Sequence, residues 1–275
     1  MVENYVLITK ENYAGFEGVL TSNLISGKQR VSLGSFDEDG NVLGAVSFTL
    51  LDYQYEVDWL YVEPKVRRSK IGTHLMDKVI ATATETMETY PISVRYSCES
   101  IDEPLYEFFM FYDKMDVNYS HDRYIVTPKD IAESSYLHSK YGKKFDVRCF
   151  FDEKEGIRKN LLETLRISGG YVIEDYELWE EKCVKELCQC IYVDDKPCDL
   201  LFIQKNEENS LELSYMVSTN PTGLAYLMMS VAKIIGEKYP DCDLKFDAIN
   251  AESDRLARKL FPKAKKVSVY EAEWW

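Results

Sequence analysis

Hydrophobic positions along the chain fall into short runs whose period keeps changing, and each change predicts a new element. Residues 4–8 (NYVLI) suit a strand, and the spacing over 11–25 predicts a helix. Runs at 30–36 and 42–51 read as strands joined by Asp37-Glu38-Asp39-Gly40-Asn41, whose Asp-Gly step signals a hairpin. A third run at 55–62 follows a short turn, so three successive strands are expected to form an antiparallel meander. Pro64 closes the third strand, because it has no N–H to give to a ladder. A basic stretch at 65–70 then leads into 71–87, where Leu75, Val79, Ile80 and Ala83 recur at helical spacing. A strand over 92–98, a helix over 103–115 and a strand over 117–126 complete the first half. The passage from strand through helix to strand predicts a βαβ unit within an otherwise antiparallel sheet.

From about 145 the same order returns. A helix is expected at 157–165, strands at 187–193, 200–204 and 211–218, and a helix at 223–238. A strand at 243–248, a helix at 251–261 and a last strand at 267–272 follow. The repeat is of whole domains and not of a short solenoid period. The predicted organisation is a first domain over 1–127, a polar, tyrosine-rich connection over 128–144 that could equally be helical, and a second domain over 145–275. A length of 275 residues suits two domains, and the fold class is α/β, of the α+β kind.

Charge and composition narrow the function. A formal net charge of -14 repels phosphates, so no nucleic-acid partner is expected. The same charge is compatible with a cationic or amine-bearing substrate, or simply with solubility. No run of about 18 apolar residues suggests a membrane span, and the opening MVENYVLITKENY reads as a strand and not as a secretory signal. Seven scattered cysteines, with Cys188 and Cys190 in a spacing unlike a zinc site, and three dispersed histidines predict no metal. Such free thiols suit a reducing cytoplasm.

The chemistry concentrates in 56–75, EVDWLYVEPKVRRSKIGTHL. This segment delivers backbone amides to a helix N-terminus, where unpaired N–H groups and the dipole favour an anion. Arg67, Arg68 and Lys70 add positive charge, and Gly72 is expected to let a phosphate approach the backbone. Such a cradle suits a diphosphate. The segment resembles the coenzyme A loop of the GNAT acyltransferases, Q/R-x-x-G-x-G/A after a strand ending in V-x-P. Val62-Glu63-Pro64 matches the strand end, Arg67 the first position and Gly72 the last, while Lys70 stands where the first glycine belongs. The resemblance covers residues 1–127. It implies that the backbone of Leu60, Tyr61 and Val62 pairs with the pantetheine arm of acetyl-CoA, the default co-substrate. It also implies that the amides of Arg67, Arg68, Ser69, Lys70, Ile71, Gly72 and Thr73 hold the pyrophosphate, and that the acyl group lies where two neighbouring strands splay. Each domain is then a mixed, mostly antiparallel sheet flanked by helices.

Direct attack of an amine on a thioester benefits from a base and an acid. Glu56, eleven positions before Arg67, is the candidate base; Asp58 shares its strand face, and two neighbouring carboxylates favour a base that works near neutrality. The alternative is a solvated polar face. Tyr112 is the candidate acid: Phe111-Tyr112-Asp113-Lys114 resembles the family's L-Y-E-K helix end, with Asp116 and Val117 in place of Gly-Phe. The alternative is a packed aromatic. Phe108, Phe109 and Phe111 are expected in the core.

Residues 250–261 resemble the same family's N-x-x-A-x-x-L-Y-x-K helix end, but Ala257 replaces the tyrosine. The corresponding loop, 218–223, has no arginine and one glycine. The second half is therefore read as a degenerate GNAT-like domain that does not bind coenzyme A, and that either shapes an acceptor cleft or only stabilises its neighbour. The resemblance implies an N-acetyltransferase acting on a primary amine of a small molecule, a peptide or a protein lysine. The alternative is a non-catalytic acyl-CoA-binding protein for sensing or assembly.

Overall fold

The computed structural model describes residues 4–51, 53–85, 90–135, 145–167, 180–193, 196–206 and 210–275. In chain order the elements are β1 (Asn4–Leu7), β2 (Arg30–Phe36), β3 (Val42–Leu50), β4 (Tyr55–Val62), α1 (Ile71–Thr84), β5 (Ile92–Cys98), α2 (Pro104–Phe111) and β6 (Asp116–Val126). Next come α3 (Pro128–Glu133), β7 (Asp146–Cys149), α4 (Glu155–Ile167), β8 (Gln189–Val193), β9 (Lys196–Lys205), β10 (Leu211–Ser218), α5 (Pro221–Lys238), β11 (Leu244–Ala248), α6 (Ala251–Leu260) and β12 (Lys265–Trp274). Contacts divide them into two compact units, residues 1–120 with 268–275, and residues 121–267. The end of the chain counts with the first unit because Ser268–Trp274 pair antiparallel with β5.

In the first unit β1 to β4 form an antiparallel meander, and β5 adds parallel to β4. The hairpin loop between β2 and β3 is built by Asp37, whose carboxylate accepts from the N–H groups of Asp39 (3.0 Å) and Asn41 (2.8 Å). One sheet face is covered by α1 and α2: Ile71, Leu75, Met76, Val79 and Ala83 of α1 pack in one core with Leu43, Val46, Phe48 and Val57. Of the three phenylalanines expected inside, Phe109 is buried and Phe108 half-buried, but Phe111 is 82% exposed.

The opposite face is covered by 13–24, where the structure departs from the sequence expectation. No α-helix spans 11–25; the segment makes two 3₁₀ turns, Tyr13–Gly15 and Ser22–Leu24. Gly15 and Gly18 weaken a helix, and the Thr-Ser-Asn run at 21–23 competes for backbone hydrogen bonds. The apolar residues that suggested a helix are still used. Phe16, Val19, Leu20 and Leu24 are buried with Ala45, and the Trp59 indole N–H donates to the Val19 carbonyl at 2.7 Å.

The second unit has the sheet order β6–β11–β10–β9–β8–β7, antiparallel except for β10 beside β11. Strand β7 lies at its edge and was not legible in the sequence. Part of the connecting segment is helical: α3 starts at a capping box between Thr127 and Asp130, while 136–144 lies outside the described residues. The order β8-β9-β10-α5-β11-α6 repeats the order β2-β3-β4-α1-β5-α2. Among the described residues no helix is long and apolar enough to cross a membrane, and no group of three or more His, Cys, Asp or Glu side chains is arranged to hold a metal ion.

Candidate active site

The central feature is where β4 and β5 part. They pair in parallel only at Tyr55–Ile92 and Glu56–Ser93, whereas β3 stays registered with β4 as far as Val62. A β-bulge at Asp58 accompanies the separation: Phe48 faces Val57 and Ser47 faces Trp59. The outer edge of β4 beyond Glu56 is therefore open. Backbone direction alternates along a strand. Glu63 N–H donates to the Leu43 carbonyl at 2.9 Å, so Tyr61 and Glu63 point to β3, and Leu60 and Val62 point to the open edge. Of the three residues expected to pair with a pantetheine arm, Leu60 and Val62 offer backbone groups on that side, and Tyr61 spends its own on Ala45.

The loop that follows makes a 3₁₀ turn, Pro64–Val66, and then two left-handed residues, Arg68 (φ 66°) and Lys70 (φ 67°). Lys70 takes the backbone region that glycine enters freely, so the lysine in the glycine's place does not change the path of the loop. It caps α1 without a side-chain hydrogen bond. The helical ladder begins with His74 N–H to the Lys70 carbonyl at 2.9 Å, which leaves the amides of Ile71, Gly72 and Thr73 ahead of it. Arg67, Arg68, Ser69 and Lys70 are all exposed. Arg67 folds back, its Nε donating to the Val62 carbonyl at 3.0 Å, and Arg68 pairs with Glu107 at 2.9 Å on the surface. These basic side chains are held loosely enough to rearrange around an anion, since exposed pairs contribute little.

Gly72 serves packing. A Cβ on it would stand 3.1 Å from the ring of Phe108, so its lack of a side chain lets α2 close on α1. This contact gives the glycine a second role beside the close phosphate approach expected of it. The counterpart loop of the second unit is closed differently. Asn220 caps α5, its side-chain oxygen accepting from Thr222 N–H (3.1 Å) and Gly223 N–H (3.2 Å). A Cβ on Gly223 would meet Asp199 Oδ2 at 2.1 Å. Asp199 is fully buried there, and burial raises its carboxyl above the ordinary range. The amides used for an anion in a helix-start site are spent internally, beside a carboxylate.

Glu56 is half-buried at the root of the splay, the last β4 residue registered with β5. Its side chain is on the face opposite Tyr55 and Val57, which belong to the α1 core. Asp58 is engaged by the Thr49 hydroxyl at 2.5 Å and by Arg30 at 3.3 Å. Tyr112 follows the end of α2, is 4% exposed and stacks on Phe108 at 5.5 Å. Its hydroxyl donates to Asp77 Oδ1 of α1 at 2.7 Å, and Lys114 Nζ donates to the same oxygen at 2.8 Å. Burial first, and the Asp77 carboxylate second, push the Tyr112 phenol well above its ordinary pKa. Burial alone would raise Asp77, but the hydrogen bonds from Lys114 and Tyr112, with the Lys114 charge, outweigh it and hold the carboxyl below its usual range. Asp77 was missed by sequence reasoning. Its one signal is that it is the single carboxylate in 71–84.

Comparison with known proteins agrees with this architecture. Residues 11–108 match the acetyltransferase (GNAT) family model. No curated protein gives a significant match to the sequence. Among solved structures, a tandem GNAT protein from the clavulanic acid biosynthesis pathway, at 10% identity, superposes with a TM-score of 0.66 over 99% of this chain and 98% of its own. A GCN5-related N-acetyltransferase from Sphaerobacter thermophilus, at 12% identity, gives 0.61 over 96% and 85%. The GCN5-related glucosamine N-acetyltransferase region of a fungal multi-domain GH3 beta-N-acetylglucosaminidase, at 12% identity, gives 0.67 over 100% of this chain and 38% of that one. Residues 11–108 are thus similar to the acetyltransferase (GNAT) family, and the chain as a whole has the fold of GNAT proteins.

Proposed function

We propose that the protein is an acyl-CoA-dependent N-acyltransferase that moves an acetyl group from acetyl-CoA to a primary amine of a small molecule, a peptide or a protein lysine. The observation that carries this reading is the open edge of β4 beyond Glu56, leading straight into a helix whose first amides precede its ladder. An extended arm hydrogen-bonds to Leu60 and Val62 like an added strand. The amides of Ile71, Gly72 and Thr73, with Arg67, Arg68, Ser69 and Lys70 around them, hold the diphosphate. The thioester then lies at the root of the splay.

Glu56 takes the proton from the attacking ammonium. The amine lone pair attacks the thioester carbonyl, the C–S bond breaks as the C–N bond is kept, and the sulfur leaves as thiolate. Tyr112 supplies the proton to that thiolate once its hydroxyl exchanges Asp77 for the sulfur; the second proton of the attacking nitrogen goes to water, from which Tyr112 is reprotonated. The first unit does this chemistry, as a catalytic domain over about 1–127, while the second, over about 145–275, does not bind coenzyme A. Its free thiols fit work in the cytoplasm.

A second reading is supported by one observation: the Tyr112 hydroxyl is already committed to Asp77. A protein with that bond kept would bind acyl-CoA without turning it over, for sensing or assembly. Calorimetric titration with acetyl-CoA, combined with thiol release over a panel of primary amines, separates the two. Binding with turnover on some amine is the expected result. Binding without turnover on any amine would favour the second reading, and no binding would end both.

A further inference from the structure

The second unit contains a cavity of about 430 Å³, within the range of small-ligand sites (roughly 300–1,000 Å³). It opens where β10 and β11 part. These strands pair in parallel only from Leu211–Leu244 to Leu213–Phe246, and β10 carries a bulge between Leu213 and Tyr215. Each landmark has its counterpart in the first unit. Glu212, at the second register position, corresponds to Glu56. Asn220 caps α5 as Lys70 caps α1, and the two ladders open at Leu224 and His74, so the apolar Leu227 stands at the position of Asp77, next to Met228. The motif in sequence sets Ala257 against Tyr112, but in the fold Phe261 ends α6 as Tyr112 ends α2, and Ala257 lies one turn earlier. The first unit ties its two helices with a tyrosine hydroxyl on an aspartate; in the second, Met228 of α5 and Ala257 of α6 line the cavity.

The lining has two chemistries on two sides of the sheet. Phe246 and Met216 belong to the core beneath α5 and α6, and with Met228, Leu256, Ala257 and Leu260 they give an apolar recess. Glu212 and Asp247 are one position along their strands from Leu213 and Phe246, so they face the other side. They are the charged side chains among the lining residues. Arg123 binds Asp247 at 2.6 and 2.9 Å and reaches Glu212 at 3.4 Å, and His121 lies 3.1 Å from Asp247, but neither lines the cavity. One guanidinium is shared between two carboxylates, and Glu212 is the more loosely held. An anionic ligand meets two carboxylates and no cationic side chain among the lining residues, and the nearby helix start is closed by Asn220.

We propose that this cavity is a binding site for a small primary amine with an apolar body. The ammonium sits at Glu212 and Asp247, and the hydrocarbon part passes through the gap between β10 and β11 into the recess under α5 and α6. The inference does not rest on catalysis by the first unit. A vacant apolar recess of this size forgoes packing contacts, and an apolar body supplies them.

The test is calorimetric titration of the full chain with n-octylamine, octan-1-ol and octanoate. The amine is expected to bind at least tenfold more tightly than the alcohol, and octanoate more weakly than either. Ala257→Tyr, which fills the recess, should abolish amine binding while the circular dichroism spectrum stays that of the wild type; Ala257→Leu should give a partial loss if the larger side chain prevents folding. Glu212→Gln should reduce the amine to the affinity of the alcohol. No binding of the amine, an amine no tighter than the alcohol, or unchanged binding in folded Ala257 variants overturns the proposal. Coenzyme A titrated in parallel reports on the first unit separately, so loss of that activity leaves this result readable.

Discussion

Lys70 stands where a coenzyme A loop has glycine, and in sequence that substitution looks like damage. Its backbone nevertheless sits at φ 67°, with Arg68 at 66°, so the loop keeps a glycine-like path at a steric cost of roughly 1–2 kcal/mol for each residue. Strain of this kind persists only where the surroundings over-determine it and tends to gather at functional sites. Lys70→Gly is therefore expected to be more stable than Lys70→Ala by about 1 kcal/mol in chemical denaturation, because alanine keeps the clash and glycine removes it. Equal stabilities would mean that the residue is not held left-handed in solution. Glu56 is the other residue whose role can be read singly. Glu56→Gln keeps size and hydrogen-bonding capacity and removes the base, so kcat should fall by roughly 10²–10⁴ while acetyl-CoA affinity stays level. An unchanged kcat would return Glu56 to the solvated strand face that the sequence also allowed.

Between elements, the contact that matters is Tyr112–Asp77–Lys114, which joins the end of α2 to the second turn of α1. Tyr112→Phe should cost about 1–2 kcal/mol of stability, as for a hydrogen bond to a charged group. It should also lower kcat with little change in acetyl-CoA affinity. A stability loss with full turnover would leave Tyr112 as a tie between helices and nothing more. Asp77 carries a pH signature. A carboxyl held below its ordinary pKa contributes stability above that ordinary value, near 3.9, and the contribution is lost as pH falls through the lowered folded value. The stability difference between wild type and Asp77→Asn should thus be flat from pH 7 to about pH 5 and shrink below about pH 4. A difference that grew on acidification would contradict the assignment.

Elements were legible where period and punctuation agreed. Strands β2 to β5 and helices α1, α5 and α6 lie close to their expected positions because alternation or a 3.6-residue stripe is bounded by Pro64, Gly40 or Asn250. The segment 13–24 failed because burial against a sheet does not require a helix, and Gly15 and Gly18 let the chain fill the same face irregularly. The partner of Tyr112 could not be foreseen, since 35 residues separate it from Asp77.

At the scale of the molecule, the repeated order of elements was readable, and so was the contrast between a basic loop at 67–73 and a neutral one at 218–223. The place of the last strand was not. Its residues from Ser268 pair with β5, and strand pairing across so long a separation leaves no mark in local periodicity. The account as a whole stands on main-chain nitrogens at the start of α1 holding a diphosphate. The direct measurement is the amide ¹⁵N–¹H spectrum of the full chain titrated with acetyl-CoA. Signals of Lys70, Ile71, Gly72 and Thr73 should shift with saturation, and those of Thr222 and Gly223 should stay in place. Shifts confined to Thr222 and Gly223, or none at 70–73 while acetyl-CoA binds, would contradict it.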